Sequence, residues 1–206
     1  MSWEARYQQQ DTPWDKGAPA PPLLELLAQR HCDWGTGAVL VPGCGRGHDA
    51  RALAHALPHN RIIGMDLAPT AISQAQALSA AETFPSLEFC EVDFLQSTRA
   101  DYPDCGSIFE HTCFCAIDPA LRGAYAEACA RLLPIGGLWV AIIFLTPREE
   151  DDPTVGPPYQ SSEPEIYSLF SPAFRLVQKY RPQQAYKGRH GKEIVMIWER
   201  VERVPV

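Results

Sequence analysis

A chain of 206 residues, 46% apolar and 21% charged, is long enough to bury a core of its own without disulfide support. Its longest apolar run, Leu138 to Leu145, has the length of a strand and falls well short of the roughly 20 residues a membrane helix needs. A formal charge of −7 argues against the basic face of an obligate nucleic-acid binder. At the N-terminus, Trp3, Glu4 and Arg6 lack the basic-then-apolar layout of a secretory leader, so the expected location is cytoplasmic. The seven cysteines, at positions 32, 44, 90, 105, 113, 115 and 129, are odd in number and show no paired spacing. They read as reduced thiols, and Cys113-x-Cys115 has no second pair with which to hold a metal.

Taken in chain order, the first 37 residues stand apart. Trp3 and Tyr7 fall on one face of a helix; Thr12-Pro13-Trp14-Asp15 follows, then a proline-rich turn and an apolar helix over Leu23 to Ala28. From Ala38 onward, strand-like runs alternate with helical ones, the pattern of a parallel sheet covered by helices. Strands are expected at Ala38–Pro42, Arg61–Asp66, Leu87–Val92, Ser107–Glu110 and Leu138–Leu145. Helices are expected at Asp49–Ala56, from Pro69 through Ala71–Ala81, and from Pro119 to Leu133, where Pro134 and Gly136-Gly137 end the last one.

Residues Thr146 to Pro164 are proline-rich, polar and acidic, and read as a long excursion before a helix at Glu165–Phe170. Arg175–Tyr180 and Glu193–Val201, joined across Gly188 and Gly191, form an antiparallel closing pair. The expected fold is one α/β domain over residues 1–206. A helical lid segment (1–37) precedes a mostly parallel seven-stranded Rossmann-like core (38–206) with an antiparallel final hairpin.

The turn Val39-Leu40-Val41-Pro42-Gly43-Cys44-Gly45-Arg46-Gly47 carries the clearest chemistry. Its glycines allow positive φ and close approach of backbone to a ligand. A dinucleotide fingerprint requires glycine where this chain has His48, so the loop suits a nucleoside with a carboxypropyl tail better than a pyrophosphate. Asp66 ends the second strand, placed to accept hydrogen bonds from ribose hydroxyls. Asp93-Phe94 ends the third, offering a polar group and an aromatic wall for a base, and Glu110-His111 ends the fourth, facing the ligand's reactive end. Each group alone reads as a cap or an exposed charge. Four successive strands ending this way at one sheet edge read as a site, because open α/β sheets bind ligands there.

Together with Trp3-Glu4, the segment from Thr12 to Gly17, Glu110-His111-Thr112-Cys113-Phe114-Cys115-Ala116-Ile117-Asp118-Pro119, Gly156-Pro157-Pro158-Tyr159 and Gly191-Lys192-Glu193, the sequence resembles the thiopurine methyltransferase superfamily, in particular its halide and thiol methyltransferase branch. The resemblance covers nearly the whole chain. It implies a class I methyltransferase that uses S-adenosylmethionine to methylate a small thiol, thiopurine, thiocyanate, halide or related soft nucleophile. It further implies that Trp3, Tyr7 and Trp14 cover the cofactor, that Gly43, Gly45 and Asp66 contact its amino-acid tail and ribose, and that Asp93 and Phe94 flank adenine. His111, Phe114 and Tyr159 match positions near the acceptor, with His111 and Tyr159 the candidate catalytic groups. This chain departs from the pattern at Tyr7, where many members carry tryptophan, and at Cys113, where phenylalanine is usual.

Methyl transfer from a sulfonium chiefly needs alignment and exclusion of water, and an aromatic face over the sulfonium adds cation–π attraction of about 0.5–2 kcal/mol. The motifs show no Asp–His or lysine relay, so acceptors are expected to arrive as anions. With iodide, the rate should change little from about pH 6.5 to 9 apart from titration of His111 near its reference value. The expected partner is a small-molecule acceptor, with no nucleic acid, no membrane and no metal, and the chain a monomer or weak homodimer. The alternatives are oxygen or nitrogen methylation, or a sheet that binds S-adenosylmethionine without turnover. A nucleotide-dependent oxidoreductase is disfavoured by the glycine spacing.

Overall fold

The computed structural model describes residues 2–84, 86–145 and 155–202. Seven strands form one sheet: β1 (Ala38–Pro42), β2 (Ile62–Asp66), β3 (Leu87–Glu91), β4 (Cys105–His111), β5 (Leu138–Phe144), β6 (Phe174–Tyr180) and β7 (Glu193–Arg200). Their order is β3-β2-β1-β4-β5-β7-β6. The first five run parallel, and β7 is antiparallel to both β5 and β6. The helices are α1 (Trp3–Gln8), α2 (Pro21–Gln29), α3 (His48–Ala56), α4 (Pro69–Ser79), α5 (Arg122–Leu132) and α6 (Glu163–Phe170).

The layers follow from the side-chain alternation of the strands. Val39 and Val41 face Leu23 and Leu26 of α2 and Leu53 of α3 on one side. Leu40 of the same strand joins Tyr125 and Leu132 of α5 and Ile166 and Phe170 of α6 on the other. Both faces are covered, and β1 is buried along its whole length, as a central parallel strand requires. Under α6, the Trp139 and Phe170 rings stack with centroids 3.8 Å apart. Among the described residues, no helix is long and apolar enough to cross a membrane.

The expected elements are all present, with shifted ends. The fourth strand starts at Cys105, two residues before the expected Ser107, pairing there with Ala38. The segment opened by Pro119 splits: Asp118 accepts from the Ala120 N–H and winds a short 3-10 turn over Pro119–Leu121 before α5 begins. Ser162 caps α6 by accepting from the Glu165 N–H, so that helix starts at Glu163 and not at Glu165. Of the expected excursion, residues 146–154 lie outside the described residues.

Candidate active site

The carboxyl edge of β1, β2, β3 and β4 opens onto a cavity of about 590 Å³. The topology explains the place: β1 and β4 are neighbours whose chains continue outward to β2 and β5, and the loops leaving them part to leave a crevice. Asp66, at the end of β2, lines it. Its carboxylate accepts from the Gly45 N–H and the Ala68 N–H, each at 2.9 Å, which fixes its orientation. Burial pushes the Asp66 acid upward, opposed by those N–H donors. Two further acceptor positions remain on a carboxylate so held, enough for a ribose diol.

The glycine loop is tight for a reason visible in its contacts. A Cβ at Gly45, where φ is +54°, would lie 2.8 Å from the Tyr7 hydroxyl. One at Gly43, φ +61°, would meet the Cys113 side chain at 2.9 Å. The cradle is therefore bare backbone, roofed by aromatic rings from the N-terminal segment. Trp14 packs edge-on against Trp3 at 5.3 Å and against Tyr7 at 5.8 Å, and all three rings line the cavity. The segment is fastened to the core by Glu4, whose carboxylate accepts from the Thr70 N–H at 3.0 Å and from the Thr70 hydroxyl at 2.6 Å at the start of α4.

Asp93 and Phe94 line the cavity at the end of β3. Asp93 also accepts from the Leu95 N–H at 2.9 Å, and Phe94 packs on Tyr125 at 5.3 Å. Tyr159 lines the cavity beside Pro157, Pro158, Ile117 and Phe144. Its N–H donates to Cys115 O at 2.7 Å, pinning its segment to the loop after β4.

Glu110, Phe114 and His111 do not line this cavity. Glu110 is 1% exposed; its carboxylate is spent on the Phe114 N–H at 2.8 Å and the Tyr125 hydroxyl at 2.5 Å, which shapes the loop after β4 from beneath. Phe114 is buried under the Arg122 guanidinium, 4.6 Å from its ring. His111 lies in an adjoining polar recess of about 80 Å³ shared with Gly43, Gly45, Asp15 and Asp49.

That recess corrects the expectation that no Asp–His pair is present. His111 Nδ1 lies 2.7 Å from Asp49 Oδ2, while Asp49 Oδ1 accepts from the Ala20 N–H at 2.7 Å. Burial opposes a charge on His111, but Asp49 and Glu193 outweigh it and raise the imidazole to about 9. The two partners are 62 residues apart in sequence, so no local motif announces them.

Two arginines also escaped the sequence reading. Arg189, from the loop before β7, lines the cavity with its guanidinium 5.0 Å from the Phe144 ring and its Nη1 3.2 Å from Glu193. Arg122, 2% exposed, donates to both Glu165 oxygens, at 2.7 and 2.9 Å, and to Gln160 O at 2.7 Å, clamping the segment that carries Tyr159. A polar loop with two glycines around Arg189 reads as solvent-exposed, and nothing in the sequence near Arg122 marks it as buried.

The thiopurine S-methyltransferase family model matches residues 1–204. A probable thiol methyltransferase 2 of Arabidopsis thaliana is 30% identical over 200 residues, covering 96% of this chain and 84% of that protein. A thiocyanate methyltransferase 1 of Brassica oleracea is 30% identical over 206 residues, covering 97% and 84%. In fold, the chain is similar to the Burkholderia thailandensis 1,6-didemethyltoxoflavin-N1-methyltransferase solved with S-adenosylhomocysteine, with a TM-score of 0.69, 19% identity and coverage of 96% and 85%. The bare glycine cradle, the oriented Asp66 carboxylate and the aromatic roof fit such a cofactor. The chain belongs to the thiopurine S-methyltransferase family and is an S-adenosylmethionine-dependent methyltransferase.

Proposed function

We propose that the acceptors are small soft anions, namely thiolates, thiopurine anions, thiocyanate and iodide, bound in the part of the cavity bounded by Tyr159, Phe144, Ile117 and Arg189. The observation that carries this reading is Arg189. Among the described residues that line the cavity, the full cations are Arg6 and Arg189. Arg6 belongs to the roof, paired to Asp11 at 2.9 Å and lying over Trp14 at 4.3 Å. Arg189 stands against the Phe144 ring, where a positive charge favours an anion and low polarity strips it of water. The names of the plant relatives, for thiols and thiocyanate, agree with that chemistry.

When bound, S-adenosylmethionine supplies an electrophilic methyl on a sulfonium whose sulfur leaves as a neutral thioether. Gly43 and Gly45 would take its amino-acid tail, Asp66 its ribose, and Asp93 and Phe94 its adenine, under Trp3, Tyr7 and Trp14. The protein's share is then to align the acceptor along the methyl–sulfur axis, keep water out and balance the acceptor's charge. A thiol with a reference pKa of about 8.5 is partly thiolate at neutral pH, and thiocyanate and iodide carry fixed charges, so no base is required.

The test is mass spectrometry of products from isotopically labelled cofactor with a panel of thiols, thiopurine, thiocyanate, iodide and selenium species. Arg189→Gln is expected to raise KM for thiocyanate at least about 10-fold, the loss of one charge-assisted contact, while S-adenosylhomocysteine affinity holds. Turnover confined to alcohols or amines would sink the proposal.

A further inference from the structure

Behind Arg189 lies a cluster whose charges come from three separate elements. Asp49 is on the first turn of α3, His111 is the last residue of β4, and Glu193 opens β7. Glu193 is 1% exposed; its Oε1 sits 3.2 Å from Arg189 Nη1 and 3.9 Å from His111 Nε2, and its Oε2 has no hydrogen-bond partner among the described residues. Glu193 reaches this spot because β7 is antiparallel to β5, which puts its first residue opposite Phe144 at the carboxyl edge of the parallel strands. Such a buried carboxylate is costly unless cations face it.

The geometry points to Asp49 and Glu193 as positioning residues that hold His111 as an imidazolium and turn Arg189 toward the acceptor. Two carboxylates against one guanidinium leave the cluster at −1, which would repel an anionic acceptor a few ångströms away. With His111 protonated the cluster is neutral, and Arg189, which lines the cavity, is left with charge to offer an anion there. Other groups around His111 are accounted for. Arg189 Nη1 lies 3.4 Å from Nε2, where it would donate to a neutral imidazole; an imidazolium has no lone pair there and turns that N–H away, toward Glu193. The Tyr186 ring stacks at 6.4 Å with its hydroxyl donated to Ala18 O, and Glu110, next on β4, adds negative potential. Asp15 in the same recess faces Arg46 at 3.1 Å and His48 at 3.2 Å. His111 is then neither base nor direct anion ligand; it is the counter-charge that frees Arg189.

This inference rests on the soft-anion reading, and the experiment separates the two. Nitrogen-15 NMR of the imidazoles, in free protein and with S-adenosylhomocysteine, reads the protonation of His111 without turnover. Both ring nitrogens are expected to carry protons at pH 7.5. Glu193→Gln should bring the His111 midpoint down by about 1–3 units. In the wild-type protein KM for thiocyanate should rise as pH passes the His111 midpoint, and Glu193→Gln, which leaves Asp49 and Arg189 balanced without the imidazolium, should remove that rise. Asp49→Asn should move the midpoint in the same direction, which guards against a variant that fails to fold. A neutral His111 at pH 7.5 in wild-type protein, or midpoints unmoved in a folded variant, would overturn the clamp while leaving soft-anion turnover standing. Absence of turnover with a cationic His111 would overturn the acceptor reading alone.

Discussion

Asp66 carries more than one contact. Its two oxygens hold the Gly45 N–H and the Ala68 N–H, so it sets the glycine loop as well as facing the cavity. Replacing Asp66 by Ala is expected to weaken S-adenosylhomocysteine binding by about 1.5–3 kcal/mol, roughly 10- to 100-fold, measured by calorimetry; equal affinities would remove Asp66 from the site. Gly45→Ala tests the roof from the other side. The new methyl would meet the Tyr7 hydroxyl in a left-handed backbone position, and the variant is expected to lose about 1–3 kcal/mol of stability in urea unfolding together with cofactor affinity. Both residues were legible in the sequence because local pattern encodes them: a glycine turn after an apolar strand, and a carboxylate ending the next strand. Glu110 shows the limit of that logic. The same pattern marked it as facing the ligand, yet the loop after β4 consumes its carboxylate through Phe114 and Tyr125.

Among the elements, α1 and α6 each depend on one anchored side chain. Glu4 joins α1 to the first turn of α4 through Thr70, where an anion also meets the positive end of the helix dipole. Glu4→Gln is expected to speed amide exchange across residues 3–8 and lower S-adenosylhomocysteine affinity; exchange unchanged in both free and bound protein would show that the roof is held by its rings alone. Arg122 plays the matching part for the Tyr159 segment. Arg122→Met should cost about 1.5–3 kcal/mol in chemical unfolding and raise KM for the acceptor, with little change in cofactor affinity. Strand and helix positions could be read from apolar periodicity, since burial on a parallel sheet imposes it. Arg122 and Arg189 could not, because what buries them is packing between segments dozens of residues apart.

For the whole molecule, the charge cluster links stability to pH. His111 is raised to about 9 in the folded protein, against a reference of about 6.5. Its contribution is therefore present in full below about pH 6.5 and is lost as pH rises through about 9. The buried acids Asp66 and Glu110 are also raised, so they too bind protons more readily folded than unfolded and act in the same direction. The urea midpoint should fall between about pH 7 and 9.5, and His111→Gln should flatten that decline; a profile identical in both proteins would place the titration elsewhere.

The reversed direction of β7 has a consequence for how such a protein can change over time. Gly43, Gly45, Asp66 and Asp93 come from the end of β2 and the loops after β1 and β3, whereas Arg189 arrives from the C-terminal part of the chain, on the loop that feeds β7 into the same sheet edge. Under the proposed reading, donor recognition and acceptor recognition are thus written in separate stretches of the chain. Residues 181–192 also grip the N-terminal half, the Tyr186 hydroxyl donating to Ala18 O and the Gln183 and Gln184 N–H groups to Glu25, so a lineage that rewrites this loop for a new acceptor must keep those anchors to inherit its methyl donor intact.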